Sequence, residues 1–259
     1  MTQQKETENF RVLAINGGQV LGGERPYLNQ PFTLHLPICE AGYADAQIDD
    51  CIGRRREYPW RPGTRLLLRA RFSHEVDHLV GTAGFGFWNA PFGDPTVPWP
   101  ALPQATWFFF GSPPNDLPLA VNGPGRGWFA ATLDATTWQA IRLAPLAPGV
   151  LLLNQWARLR HTLWPWVRRH LQISFQPIHE PMTVWHEYGL VWGRTGCEFW
   201  LDGRIIHQTS FSPRGPLGFV CWIDNQFMVA TPNGRFRWGT LPLTTAQFLE
   251  VDAWQIEKI

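Results

Sequence analysis

Cysteine is scarce in this chain. Cys39, Cys51, Cys197 and Cys221 stand far apart, and no two have CxxC spacing. That argues against a zinc ribbon and against a redox pair. Lysine is scarcer still: Lys5 and Lys258 against twenty arginines. Charged residues make up only 17% of the chain and balance to +1 at pH 7. No bulk electrostatic term therefore points to nucleic acid, and none is expected as a partner. No apolar run reaches the roughly 18 residues of a membrane span. The polar start MTQQKETENF is followed by no apolar run of secretion type. A cytoplasmic protein with free, buried thiols is expected. Residues 1–9 read as a disordered tail, and 10–259 as a single domain. No cofactor and no metal is expected. His74, Glu75, Asp77 and His78 are ligand-type residues, but they read equally well as a polar hairpin loop.

Aromatic rings are abundant: fifteen Trp and seventeen Phe. They concentrate in one stretch, GTAGFGFWNAPFGDPTVPWPALPQATWFFFGS, from Gly81 to Ser112. It reads as two facing strands, Thr82–Trp88 and Ala105–Phe110, joined by a loop whose Pro and Gly residues forbid a helix. Other strands are expected at Arg11–Ile15, Phe32–Leu36, Tyr43–Cys51, Arg65–Phe72, Trp128–Leu133, Thr183–Trp192, Leu217–Asn225 and Phe248–Ile259. Cys197–Leu201 and Arg204–Thr209 should form a hairpin around Asp202-Gly203. Asp45, Asp49 and Asp50 lie along one strand, where Asp is disfavoured. They stand at an exposed edge or they hold something; Arg54, Arg55 and Arg56 are candidate partners.

Between Thr136 and Phe175 the apolar spacing turns helical, with Leu152, Trp156, Leu159 and Leu163 on one face. Pro165 should split this segment into two short helices. The basic, Trp-bearing face over 149–173 suits peripheral membrane contact. Packing of that face against the sandwich is the favoured expectation. Many short strands with one helical insertion make an all-β sandwich rather than a parallel α/β fold.

Four segments carry a resemblance: WHEYGLVWGRTGCEFWLDGRIIH (Trp185–His207), FLEVDAWQIEKI (Phe248–Ile259), YADAQIDDCIGRRREYPWRPGTRLLLRARF (Tyr43–Phe72) and GFGFWN (Gly84–Asn89). In order and spacing they resemble the concanavalin A-like superfamily, and within it the laminarinase-type family 16 glycoside hydrolases. The resemblance implies a jelly-roll β-sandwich with a helical insertion at 136–175. It also implies a concave binding face, with parts of Thr82–Asn89, Ala105–Phe110, His186–Trp192 and Leu217–Gln226 on or near it. In the hydrolases an alternating set of acids on one strand supplies nucleophile and general acid. Retaining hydrolysis needs such a pair about 5 Å apart. Here the matching run is WPALPQATWFFFGS, with Gln104, Thr106 and either Phe108 or Phe109 where the carboxylates would stand. The fold is implied; the hydrolase activity is withheld.

Three functions follow as expectations. The first is a non-hydrolytic binding protein for a glycan or another ring-bearing small molecule. Its ligand residues would be Trp88, Asn89, Thr106, Trp107, Trp222, Asn225 and Gln226. The second is an isomerase- or cyclase-type enzyme on an apolar lipid or isoprenoid, with a lone acid such as Asp224 as proton carrier; Asp49, Glu187 and His186 are the other catalytic candidates. The third is a structural protein whose cleft is filled by its own rings.

Overall fold

The computed structural model describes residues 10–22, 30–91, 99–121 and 123–259. The tail expected at 1–9, and much of the loop between the two aromatic strands, lie outside them. Sixteen strands are present among the described residues. The first half of the chain gives β1 (Arg11–Ile15), β2 (Gln19–Leu21), β3 (Phe32–Leu36), β4 (Asp45–Asp49), β5 (Thr64–Phe72), β6 (Thr82–Trp88), β7 (Gln104–Gly111) and β8 (Gly127–Asp134). Three helices follow: α1 (Trp138–Leu143), α2 (Ala147–Leu153) and α3 (Ala157–His170). The chain then returns to strands. These are β9 (Ser174–Pro177), β10 (His186–Trp192), β11 (Cys197–Leu201), β12 (Arg204–Thr209), β13 (Gly218–Asp224), β14 (Gln226–Ala230), β15 (Phe236–Thr240) and β16 (Gln247–Lys258).

Two seven-stranded antiparallel sheets make the expected jelly-roll sandwich. The front sheet runs β1-β4-β13-β6-β7-β8-β9 and the back sheet β12-β11-β10-β5-β16-β3-β2. β14 and β15 form a separate hairpin. The two aromatic strands pair as their alternation predicts, with Phe85 opposite Phe108 and Gly86 opposite Trp107. Asp202 and Gly203 both take positive φ, 49° and 73°. That is the backbone a two-residue hairpin needs, and Gly203 adopts it without steric cost.

The period of two decides which rings enter the core. Phe85, Phe87, Phe108, Phe110 and Phe219 turn inward from the front sheet. They meet Leu66, Leu68, Tyr188, Trp192 and Phe199 from the back. Phe108 lies edge-on to Tyr188 at 5.1 Å and to Phe199 at 5.3 Å. Such contacts add to the area they bury. All four cysteines are buried free thiols.

β10 belongs to the back sheet, between β5 and β11. This corrects the expectation that His186–Trp192 borders the concave face. The helical segment also departs from expectation. Pro165 sits inside α3 without ending it, and the break falls at Asn154–Trp156, where Trp156 is extended (φ −89°, ψ 121°). Pro165 and His161 both occupy exposed positions. The carbonyl four residues before the proline can therefore turn to solvent, and the helix tolerates it. α3 buries only Trp164 and Val167, and α2 buries nothing. Leu152, Trp156 and Leu159, expected to be covered, are exposed.

Glycine sets the shape of the front sheet at two positions. A Cβ on Gly84 would stand 2.9 Å from the Trp222 ring and 2.2 Å from the Phe108 carbonyl oxygen. One on Gly86 would meet Trp107 Cβ at 2.7 Å. β6 is therefore bare at the middle of its outer face, between Thr82 and Trp88, and indoles from both neighbours lie over it. Gly86→Ala should cost about 1–3 kcal/mol by overpacking. Gly149, inside α2 with nothing within 4 Å of its Cβ position, should gain stability as Ala, by about 0.5–1 kcal/mol. Urea unfolding of both variants checks the contrast.

Candidate functional site on the outer face of the front sheet

Strand register lays the outer face out as a grid. On β1 and β4, Arg11 faces Asp49, Leu13 faces Gln47 and Ile15 faces Asp45. On β13, Val220, Trp222 and Asp224 stand opposite Asp49, Gln47 and Asp45. β6 adds Thr82 beside Asp224 and Gly84 beside Trp222. β7 then contributes Ala105, Trp107 and Phe109, and β8 contributes Phe129 and Ala131 opposite Phe109 and Trp107. One end of the face is polar and the rest is aromatic.

The aromatic part is continuous. Trp107 contacts Trp88 at 6.1 Å, Phe109 at 5.2 Å and Trp222 at 5.9 Å between ring centres. Trp88 and Trp222 are parallel to within 6°. Leu119 and Ile173 close over Phe109, Phe129 and Trp222, which are buried. Trp88 and Trp107 remain half-buried. Part of the aromatic face is thus covered and part is not. The Trp107 indole N–H is buried and has no hydrogen-bond partner among the described residues.

The polar end is densely bonded. Arg11 donates from Nε to Asp49 Oδ1 and from Nη2 to Asp49 Oδ2, each at 3.0 Å. Gln47 Nε2 donates to Asp49 Oδ2 at 2.6 Å. β4 is interior to its sheet, so these acids are not at an exposed edge. Arg11, not the Arg54–Arg56 run, neutralises Asp49. Arg55 instead donates to the carbonyls of Asn89 and Ala90. Asp50 lies off the face and accepts from Trp60 Nε1 and Phe219 N–H, both at 2.6 Å. Burial lifts its carboxyl to about 7.

Asp224 Oδ1 accepts from Thr82 Oγ1 at 2.8 Å, Thr82 N–H at 3.3 Å and Gln226 N–H at 3.0 Å. Asp45 faces it across the strand pair. Asp224 is therefore one of two carboxyls and not a lone acid. Burial raises it to about 6. Burial, then the charge of Asp224, raises Asp45 as well. Tyr43 hydrogen-bonds Asp45 and is itself pushed up by burial and by both carboxylates. Asp45 Oδ1 is buried without a partner among the described residues. Chemically this corner keeps a proton to higher pH than ordinary carboxylates do and offers acceptors to hydroxyl groups.

The other residues singled out in the sequence divide clearly. Trp88, Trp107 and Trp222 share the outer face with Asp224 and Asp49. Gln226 is exposed at its margin. Asn89 is used internally: its Nδ2 donates to Leu102 O and its Oδ1 accepts from Gln104 N–H, which pins the loop between β6 and β7. Asn225 is fully buried and ties Gly42, Ala44 and Leu241 together. Gln104, Thr106 and Phe108 point into the sandwich, because the alternation of β7 puts Ala105, Trp107 and Phe109 outside. Thr106 thereby leaves the ligand set and meets Cys197 instead. His186 sits between Asp202 Oδ2 (2.6 Å) and Pro181 O (2.9 Å) on the back sheet, with Glu187 exposed beside it. Neither reaches the front face. Glu75 accepts from Met182 N–H at 2.9 Å and Thr183 N–H at 3.2 Å, a loop-fixing role.

The raised Asp224 makes a signed prediction. The fold holds this proton more tightly than the unfolded chain does, so folding takes up a proton between about pH 4 and about pH 6. Stability falls as pH rises through that window. Asp224→Asn keeps the Oδ1 acceptor and carries no such proton. Its stability relative to the native protein should rise with pH between those limits, by on the order of 2 kcal/mol, and level off above. Urea titrations at a series of pH values check this; a pH-independent difference contradicts it.

No protein-family model matches the chain, and no curated protein matches it. Solved structures similar to it include the β-glucanase of Bacillus licheniformis, at 8% identity over 99% of this chain and 95% of that one, with a TM-score of 0.48. A pseudo β-1,3-glucanase and immunostimulatory antigen of Mycobacterium tuberculosis aligns at 12% identity over 98% and 92%, with a TM-score of 0.48. An endo-β-1,4-glucuronan lyase of Trichoderma reesei aligns at 10% over 96% and 90%, with a TM-score of 0.47. The likeness is one of fold.

Proposed function

We propose that the outer face of the front sheet binds a carbohydrate and does not cleave it through paired acids on β7. A shared sheet face carries this reading. Two half-buried indoles, Trp88 and Trp107, share one sheet face with a carboxyl pair. Trp107 on β7 and Asp224 on β13 are two strand spacings apart across the sheet and four residues apart along it, about 16 Å in all, a span for an oligosaccharide rather than one ring. A sugar ring has an apolar face that stacks on an indole and a rim of hydroxyls that need acceptors. The outward positions of β7 are Ala105, Trp107 and Phe109, none of which can attack an anomeric carbon or donate a proton.

Calorimetry with neutral β-glucan and uronic-acid oligosaccharides tests the proposal. Binding is expected for one of these classes, with no release of reducing ends. Trp107→Ala should weaken it by about tenfold through lost stacking. Asp224→Asn should alter its pH dependence. Failure of both classes to bind, or a Trp107→Ala protein that binds like the native one, sinks the reading.

A further inference from the structure

The helical insertion and the β14–β15 hairpin form one surface. Asn154 Nδ2 donates to Pro232 O at 2.8 Å, and Gln155 Nε2 donates to Asn233 O at 2.6 Å. The Cβ position of Gly234 lies 3.6 Å from Leu151. The α2–α3 junction is thus seated on the hairpin turn. Around it stand large apolar side chains that nothing covers: Trp238 is 70% exposed, Phe236 63%, Leu152 61% and Trp156 56%. Isolated apolar side chains on a surface are ordinary. A cluster drawn from two neighbouring elements marks an interaction site.

Charge is segregated in the same place. Residues 135–179 and 225–249 contain seven arginines (Arg142, Arg158, Arg160, Arg168, Arg169, Arg235 and Arg237) and no Asp or Glu. The chain as a whole has 22 Lys and Arg against 21 Asp and Glu, so the remainder carries the excess of acid. The back sheet shows the contrast. There Arg65, Arg69 and Arg71 are paired with Glu257, Asp252 and Glu250. No salt bridge joins any of the seven insertion and hairpin arginines to a carboxylate among the described residues. Guanidinium groups lie over rings instead, Arg142 over Trp138 at 4.8 Å and Arg237 over Phe227 at 5.4 Å.

We infer that this surface docks on an anionic phospholipid bilayer. Exposed Trp, Phe and Leu suit the headgroup and upper acyl region, and unpaired arginines suit the lipid phosphates and carboxylates. No helix among the described residues is long and apolar enough to cross a membrane, so α2, α3 and the hairpin tip lie along the interface. The surface that serves solvent poorly serves such an interface well. This inference does not rest on the carbohydrate reading, which concerns the sheet face.

Co-sedimentation with vesicles decides it. The full chain is mixed with vesicles of phosphatidylcholine alone or with about 30% phosphatidylserine. Binding is expected to the mixed vesicles, at least tenfold stronger than to the neutral ones, and about 0.5 M salt should weaken it. The double variant Trp156→Asp, Trp238→Asp should lose binding. The double variant Arg158→Glu, Arg237→Glu should lose about tenfold. All four positions are exposed, so melting temperatures should match the native protein and show that the variants are folded. Absence of binding to anionic vesicles overturns the inference. So does unchanged binding by both variants, or a native dimer in sedimentation equilibrium that the Trp156→Asp, Trp238→Asp variant splits without any vesicle binding.

Discussion

Close approach across β6 is the constraint on which the front sheet depends. Gly84 and Gly86 leave no side chain on the outer face of that strand between Thr82 and Trp88. Trp222 from β13 and Trp107 from β7 therefore reach toward each other over bare backbone. The same strand sends Phe85 and Phe87 inward, where they join the core between the sheets. One strand of alternating glycine and aromatic residues thus serves both faces. Its inner side is filled, and its outer side is a floor for rings supplied by its neighbours.

Much of the architecture was legible in the sequence because alternation is a local signal. The pairing of Thr82–Trp88 with the Trp107–Phe110 run, the Asp202-Gly203 turn and the sandwich class all rest on residues close in the chain. Facing direction was less accessible. WFFF, from Trp107 to Phe110, has no polar residue to mark its phase, so Thr106 read as outward and proved to face the core. The opposite pairing of Asp45 with Asp224 joins positions far apart in sequence, and no local pattern announces it. The alternation Asp45, Gln47, Asp49 was the available clue, since acids at period two on one strand share a face. His186 and Glu187 failed as site residues for a topological reason: their strand entered the other sheet.

The helical insertion shows where pattern misleads. Leu152, Trp156 and Leu159 have the spacing of a buried face and are exposed, whereas Trp164 and Val167 anchor α3. Amphipathic spacing says that a helix has an apolar side. It does not say what that side meets. The missing information is the position of the hairpin turn at 231–234, which takes the α2–α3 junction through two amide hydrogen bonds.

The front sheet ends at β9, a strand of four residues whose last member is Pro177. Pro177 has no amide hydrogen to offer along the open edge, and a strand this short presents few groups to a newcomer. A sheet with a continuous aromatic face is the one that most needs such a stop. Two copies joined edge to edge there would extend a ring-lined ribbon as well as a backbone ladder, the beginning of a fibre. The return of the chain from the insertion therefore also terminates the sheet, and its last residue has no N–H to donate to a newcomer.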